Sequence, residues 1–136
     1  MPNSFPLARF SPQLLSVLRI IGAFLFIAHG TAKLFGFPAN PGEAHIVETG
    51  SIFWVAGWLE AVGGFLLLLG AFTRPVAFLL SGEMAVAYFM VHAKGGFWPL
   101  LNHGEPVVLF CFLFLYLAAA GPGPISLDAA RSRGAA

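Results

Sequence analysis

Residues 51–74, SIFWVAGWLEAVGGFLLLLGAFTR, form a long apolar run interrupted near its middle by one acid, Glu60. Some twenty such residues, wound into a helix, cross the roughly 30 Å hydrocarbon core of a bilayer. A carboxylate at that depth is costly unless it is paired, protonated or turned toward a wet cavity. Glu60 must therefore face protein, which requires neighbouring helices. Steps of three and four from Glu60 reach Ala56, Gly57, Gly63 and Gly64, small residues that let another helix approach closely. The plainer reading makes Gly63 and Gly64 a packing notch and Glu60 a structural ion-pair partner. The stronger one makes Glu60 part of a site.

The rest of the chain has the same character. Of its 136 residues, 58% are hydrophobic and 10% charged, where a soluble domain carries about 25% charged residues. A net charge of +1 with no basic patch argues against a nucleic-acid partner. Cys111 stands alone within FCFLF, which excludes an internal disulfide, a CxxC redox pair and a cysteine-based zinc site.

Four apolar runs predict an all-α fold, a transmembrane four-helix bundle, with spans at about 12–36, 51–72, 75–93 and 105–120. Residues 1–11 form a polar, proline-broken segment, 12–121 the membrane domain, and 122–136 a tail expected to fray. Ser11-Pro12 reads as the N-cap and first residue of the first helix. Arg9 followed by an apolar run imitates a secretory signal. No small-x-small cleavage site follows, however, and the helical pattern continues through Lys33, so a retained span is expected. Thr73-Arg74-Pro75 reads as a turn so short that the helices it joins must be antiparallel neighbours. Residues 38–50, with Glu43, His45 and Glu48, form a polar loop. Arg9, Arg74, Arg131 and Arg133 fall on the side of the termini, Lys33 and Lys94 on the other. That bias places both termini in the cytoplasm.

Two groups of polar residues emerge. Arg19, Glu60 and Glu83 lie at similar depths in three spans and are expected to form a buried charge network. A guanidinium, never neutral, suits bridging two carboxylates. Nearer the external face, His29, Lys33, Asn102, His103 and Glu105 are the candidates for ligand binding or proton handling. Histidine suits the latter because it titrates near neutrality. His92, nine residues beyond Glu83, is expected on the opposite side of its helix. Glu105 before Pro106 also reads as an acid favouring a helix N-terminus, and Lys33 as a side chain reaching for the interface. The four histidines lack a recognised metal-ligand spacing, so no metal is expected. An apolar pocket walled by Phe and Trp with a few convergent polar groups suits a quinone or a lipid-like ligand.

Three stretches carry a resemblance: LRIIGAFLFIAHGTAKLFGF, WLEAVGGFLLLLGAFTRPVAFLLSGEMAVAYFMVH and GFWPLLNHGEPVVLFCFLFLYLAAAGPGPISLD. With the ordered motifs R-x9-H-G-x2-K, E-x2-G-G, T-R-P and N-x-G-E, the chain from Leu18 to Asp128 resembles the DoxX family. The resemblance implies a four-helix protein of the bacterial inner membrane. It also implies an association with thiosulfate:quinone oxidoreductase subunits, or with a membrane complex pairing sulfur transfer with superoxide dismutation under oxidative stress. It marks Arg19, His29, Gly30, Lys33, Glu60, Gly63, Gly64, Asn102 and Glu105.

Three functions fit these residues. The first is a subunit or accessory of a quinone-linked redox system, with no intrinsic cofactor, a quinone as ligand and soluble redox enzymes as partners. The second is a lipid or small-molecule binding or transport protein whose buried charges line a path. The third is a structural anchor that recruits soluble redox enzymes. A homo-oligomer is compatible with each. A co-purifying quinone marks the first, solute flux in liposomes the second, and complex assembly that survives neutralising the buried charges the third.

Overall fold

The structure, a computed structural model, describes residues 5–39 and 46–135. Glu43 and His45 of the polar loop lie outside the described residues. The regular secondary structure of the described residues is all helical, with no strand. Helix α1, Ser11–Phe35, carries Pro12 in its first turn. It ends at Gly36, whose φ of 66° suits glycine and whose N–H bonds back to Ala32 O. Helix α2, Ile52–Leu69, begins where Ser51 Oγ accepts the Trp54 N–H at 3.1 Å. Gly70, with φ 68°, stops it. Helix α3 runs over Thr73–Gly95. A single turn, Pro99–Asn102, leads into α4, Glu105–Ala120, and α5, Leu127–Gly134, closes the chain.

Helices α1, α2 and α3 are long and apolar enough to cross a membrane. The fourth expected span is helical over the expected residues but has only 16 of them, about 24 Å of helix. Outward-facing Phe24, Phe65, Phe78, Leu109 and Phe112 give all four helices an apolar exterior. Water does not tolerate such a surface and hydrocarbon does. Thr73-Arg74-Pro75 is not the turn the sequence suggests. It is the first turn of α3, where a proline is tolerated because its missing N–H needs no partner.

The bundle consists of two close pairs, α1 with α2 and α3 with α4. The α1–α2 pair is antiparallel: Gly70 lies by Arg19, Gly64 by Ala23 and Ile27, and Gly57 by Lys33 and Leu34. The α3–α4 pair is antiparallel too, with Arg74 donating to Ala118 O and Ser81 to Cys111 O. Ala23, Phe26, Leu67, Ala77, Leu80, Met84, Phe114 and Leu117 fill the centre, and Phe26 meets the Phe114 ring edge-on at 4.7 Å. That core ties the pairs together in the half of the bundle nearer the chain termini.

The tail does not fray. Arg19, 1% exposed, donates from Nη1 to Pro122 O at 2.6 Å and from Nη2 to Ile125 O at 2.8 Å. Ser16 Oγ accepts the Ile125 N–H, and Ser126 caps α5 by accepting the Ala129 N–H. Asp128 accepts the N–H groups of Phe72 and Thr73, each at 2.9 Å, and so caps α3 from outside. Phe72 needs that support: it sits at φ 50°, a left-handed conformation unusual for a bulky residue. The tail thus closes one end of the bundle.

Candidate functional site

At the other end the two pairs separate around a cavity of about 710 Å³. Its walls are mostly apolar, including Phe26, Phe53, Phe78, Met90 and Phe110. Its polar lining is five residues: His29, Lys33, Glu60, Glu83 and His92. Phe78, Leu79 and Val86 on its rim are themselves exposed, so it opens through the side of the bundle.

Two π-helical turns interrupt the helices at this site, Leu59–Gly63 in α2 and Tyr88–His92 in α3. Such turns insert one residue and re-aim the side chains that follow. The second explains why His92 shares the cavity with Glu83. Nine regular residues turn about half a circle past whole turns, and one inserted residue brings the side chain back by about 100°. The expected opposite placement of His92 is thereby corrected.

Lys33 Nζ is paired with Glu60 Oε1 across the α1–α2 interface. Glu60 is 2% exposed, and its second oxygen, Oε2, has no hydrogen-bond partner in the protein. Neither carboxyl oxygen of Glu83 has one either, though both atoms are buried. Buried polar atoms are nearly always satisfied, and each exception calls for an explanation. His29 Nδ1 lies 3.0 Å from Leu25 O, with its ring edge-on to Phe110 at 5.6 Å. His92 Nδ1 lies 3.0 Å from Asn102 O.

The buried charge network divides in two. Glu60 and Glu83 share the cavity, but Arg19 does not join them. Its guanidinium is turned to the tail carbonyls, and Asp128 provides the nearby countercharge. The external group divides as well: His29 and Lys33 line the cavity, whereas Asn102, His103 and Glu105 do not. Asn102 instead braces the connection between α3 and α4. It donates to Tyr88 Oη and Gly96 O, and its Oδ1 accepts the Gly104 N–H. His103 is exposed at φ 59°, and Glu105 is exposed in the first turn of α4. The reason lies in packing: α1 touches α4 far less than it touches α2, so Lys33 meets Glu60 rather than the start of α4. Among the packing glycines, Gly57 and Gly64 face α1, while Gly63 faces Leu80 of α3. Among the described residues, no three His, Cys, Asp or Glu side chains gather into a metal-binding cluster.

Asp128, outside the spans, has its carboxyl held below the usual carboxylate range. Burial pushes it up, but the backbone and side chain of Thr73, the Phe72 N–H and the charge of Arg131 outweigh that. Ser126 as N-cap with Asp128 in the first turn of α5 is a capping signal that the sequence carries.

Comparison with known proteins gives two matches. A family model described as DoxX matches residues 14–93. A protein of Haemophilus influenzae, described there as uncharacterized, is 44% identical over 110 residues, covering 79% of this chain and 82% of its own. No solved structure matches the chain.

Proposed function

The chain belongs to the DoxX family of membrane proteins, and from that premise we propose that it binds a quinone or similar ring-and-tail lipid in the cavity between its helix pairs. In this reading it serves as a subunit of a quinone-linked redox or oxidative-stress system of the bacterial inner membrane. It crosses that membrane several times, and soluble redox enzymes are its electron-exchanging partners.

One observation carries the reading: a cavity of about 710 Å³ with apolar walls, in which Glu60 Oε2 and both Glu83 oxygens are buried without partners. Volume and lining fit a ring with an apolar chain, since ligand sites of this kind are about 300–1,000 Å³ and hold few, convergent polar groups. The orphaned oxygens fit a head group that reaches them as hydroxyls, in the carrier's reduced form, or that meets a protonated carboxyl, in its oxidised form. A quinone, when bound, supplies two-electron carrier chemistry. The chain's own part is to hold the head group at His29, Lys33, Glu60, Glu83 and His92, and to pack the tail against phenylalanine and methionine. A pure anchor has no use for unpaired carboxylates beside an open cavity.

The test uses Gly82, which lines the cavity and where an added Cβ meets nothing within 4 Å. Protein purified in mild detergent should release a quinone on solvent extraction, detected by mass spectrometry. Gly82→Trp should fill the cavity and abolish retention with melting unchanged. Quinone retained equally by both proteins would overturn the reading.

A further inference from the structure

The cavity's hydrogen-bonding groups are mostly acceptors. His29 Nδ1 and His92 Nδ1 each face a backbone carbonyl, Leu25 O and Asn102 O, at 3.0 Å. A carbonyl can only accept, so Nδ1 carries the hydrogen in both rings. In a neutral imidazole the other nitrogen, Nε2, is then an acceptor. Glu60 Oε2 adds another acceptor, and Glu83, both of whose oxygens are buried without partners in the protein, adds at least one more whether or not it carries a proton. On the donor side stand Lys33, whose ammonium gives one of its three hydrogens to Glu60, and the hydroxyl of Glu83 when that acid is protonated. A quinone offers only acceptors, two carbonyl oxygens. Its reduced form offers two hydroxyl donors.

Resting on the reading that this cavity holds a quinone-type ligand, we propose that the site is built for the reduced form. It binds an alkyl-substituted benzenediol through its hydroxyl hydrogens, in preference to the matching quinone. Acceptor meets acceptor when a carbonyl approaches Nε2 or a carboxylate, leaving both buried and unpaired. That mismatch loses the full desolvation of each group, whereas a hydroxyl satisfies both. The chain would then act on the side of the reaction where the reduced carrier is bound and handed on.

The experiment measures binding of decyl-benzoquinol and decyl-benzoquinone to the full chain in detergent, under anaerobic conditions. The quinol should bind roughly ten- to a hundredfold more tightly. His29→Phe keeps a ring against Phe110 and removes one acceptor. Its Nδ1 bond is only to its own helix, so folding should survive, and the ratio of quinol to quinone affinity should shrink several-fold. His92→Phe should act alike if the connection held by Asn102 survives the change. Equal binding of the two forms, or tighter binding of the quinone, overturns the proposal and leaves the cavity reading standing. The same is true of a preference unaltered by His29→Phe. Binding of neither form overturns both.

Discussion

The ammonium of Lys33 meets Oε1 of Glu60 across the α1–α2 interface, one turn from where Gly30 seats against the backbone of Gly57 and Ala61. The close approach and the ion pair depend on each other. Without a side chain at Gly30 the two helices come near enough for Lys33 to reach inward, and the pair offsets part of the cost of burying Glu60. Removing one partner leaves a buried charge alone. Lys33→Leu should lower stability by about 3 kcal/mol, the low end of the range for broken buried pairs, because the Lys33 side chain keeps 31% exposure. Lys33→Leu with Glu60→Leu should recover most of that loss in thermal melting. A double variant no more stable than the single one would show that the ion pair is not the reason.

Gly30→Ala should part the helices. A Cβ there would stand 2.5 Å from Ala61 N and 2.7 Å from Gly57 O, both backbone atoms that cannot turn aside. A loss of about 1–3 kcal/mol is expected for such overpacking. Gly82→Ala is the control, since its Cβ meets nothing within 4 Å, and a helix interior gains about 0.5–1 kcal/mol from that exchange. Melting of the two variants in the same detergent should shift in opposite directions.

Arg19 anchors the tail rather than the acids, and its variants should behave accordingly. Arg19→Leu should expose residues 122–134 to protease and lower the melting temperature. Glu60→Gln or Glu83→Gln in that background should recover nothing. If a carboxylate change did restore stability, Arg19 would belong to the charge network after all.

The pH dependence of the tail follows from Asp128. Its carboxyl titrates lower in the folded chain than in the unfolded one, so its stabilising effect is complete above about pH 4, the ordinary carboxylate value. The effect is lost as pH falls through the depressed folded value. Hydrogen exchange at the Phe72 and Thr73 amides, which Asp128 accepts, should accelerate over that acid window, relative to the core of α1. Asp128→Asn should remove the acid step.

The apolar runs made the helices legible because length and hydropathy survive any arrangement of the bundle. Glu60 was legible as a partnered residue for the same reason: a carboxylate amid FWVAGWL and VGGFLLLLG has nowhere else to go. Its partner was not. Matched depth suggested Arg19, but depth along a helix says nothing about which neighbour lies across it, and Lys33 one turn from Gly30 takes that place. His92 was hidden by the π-turn, which breaks the 100° rule that face assignments use, and no residue in YFMVH announces it. The tail was misjudged on composition, since small residues and glycines also suit a chain that must lie flat against Ser16 and Arg19.

The sidedness of the bundle is the last expectation, and it decides which aqueous phase faces each end. Arg9, Arg74, Arg131 and Arg133 gather at the end closed by the tail, and Lys33 and Lys94 at the end where the cavity lies. Positively charged residues near span ends are retained in the cytoplasm, so the closed end and both termini should lie inside. Cysteines introduced singly at Glu48 and Ser132, both exposed, test this in a Cys111→Ser background. In intact cells a membrane-impermeant thiol reagent should label the Glu48 position and spare the Ser132 position until the cells are opened. The reverse pattern would turn the protein over, and the cavity would then lie toward the cytoplasm.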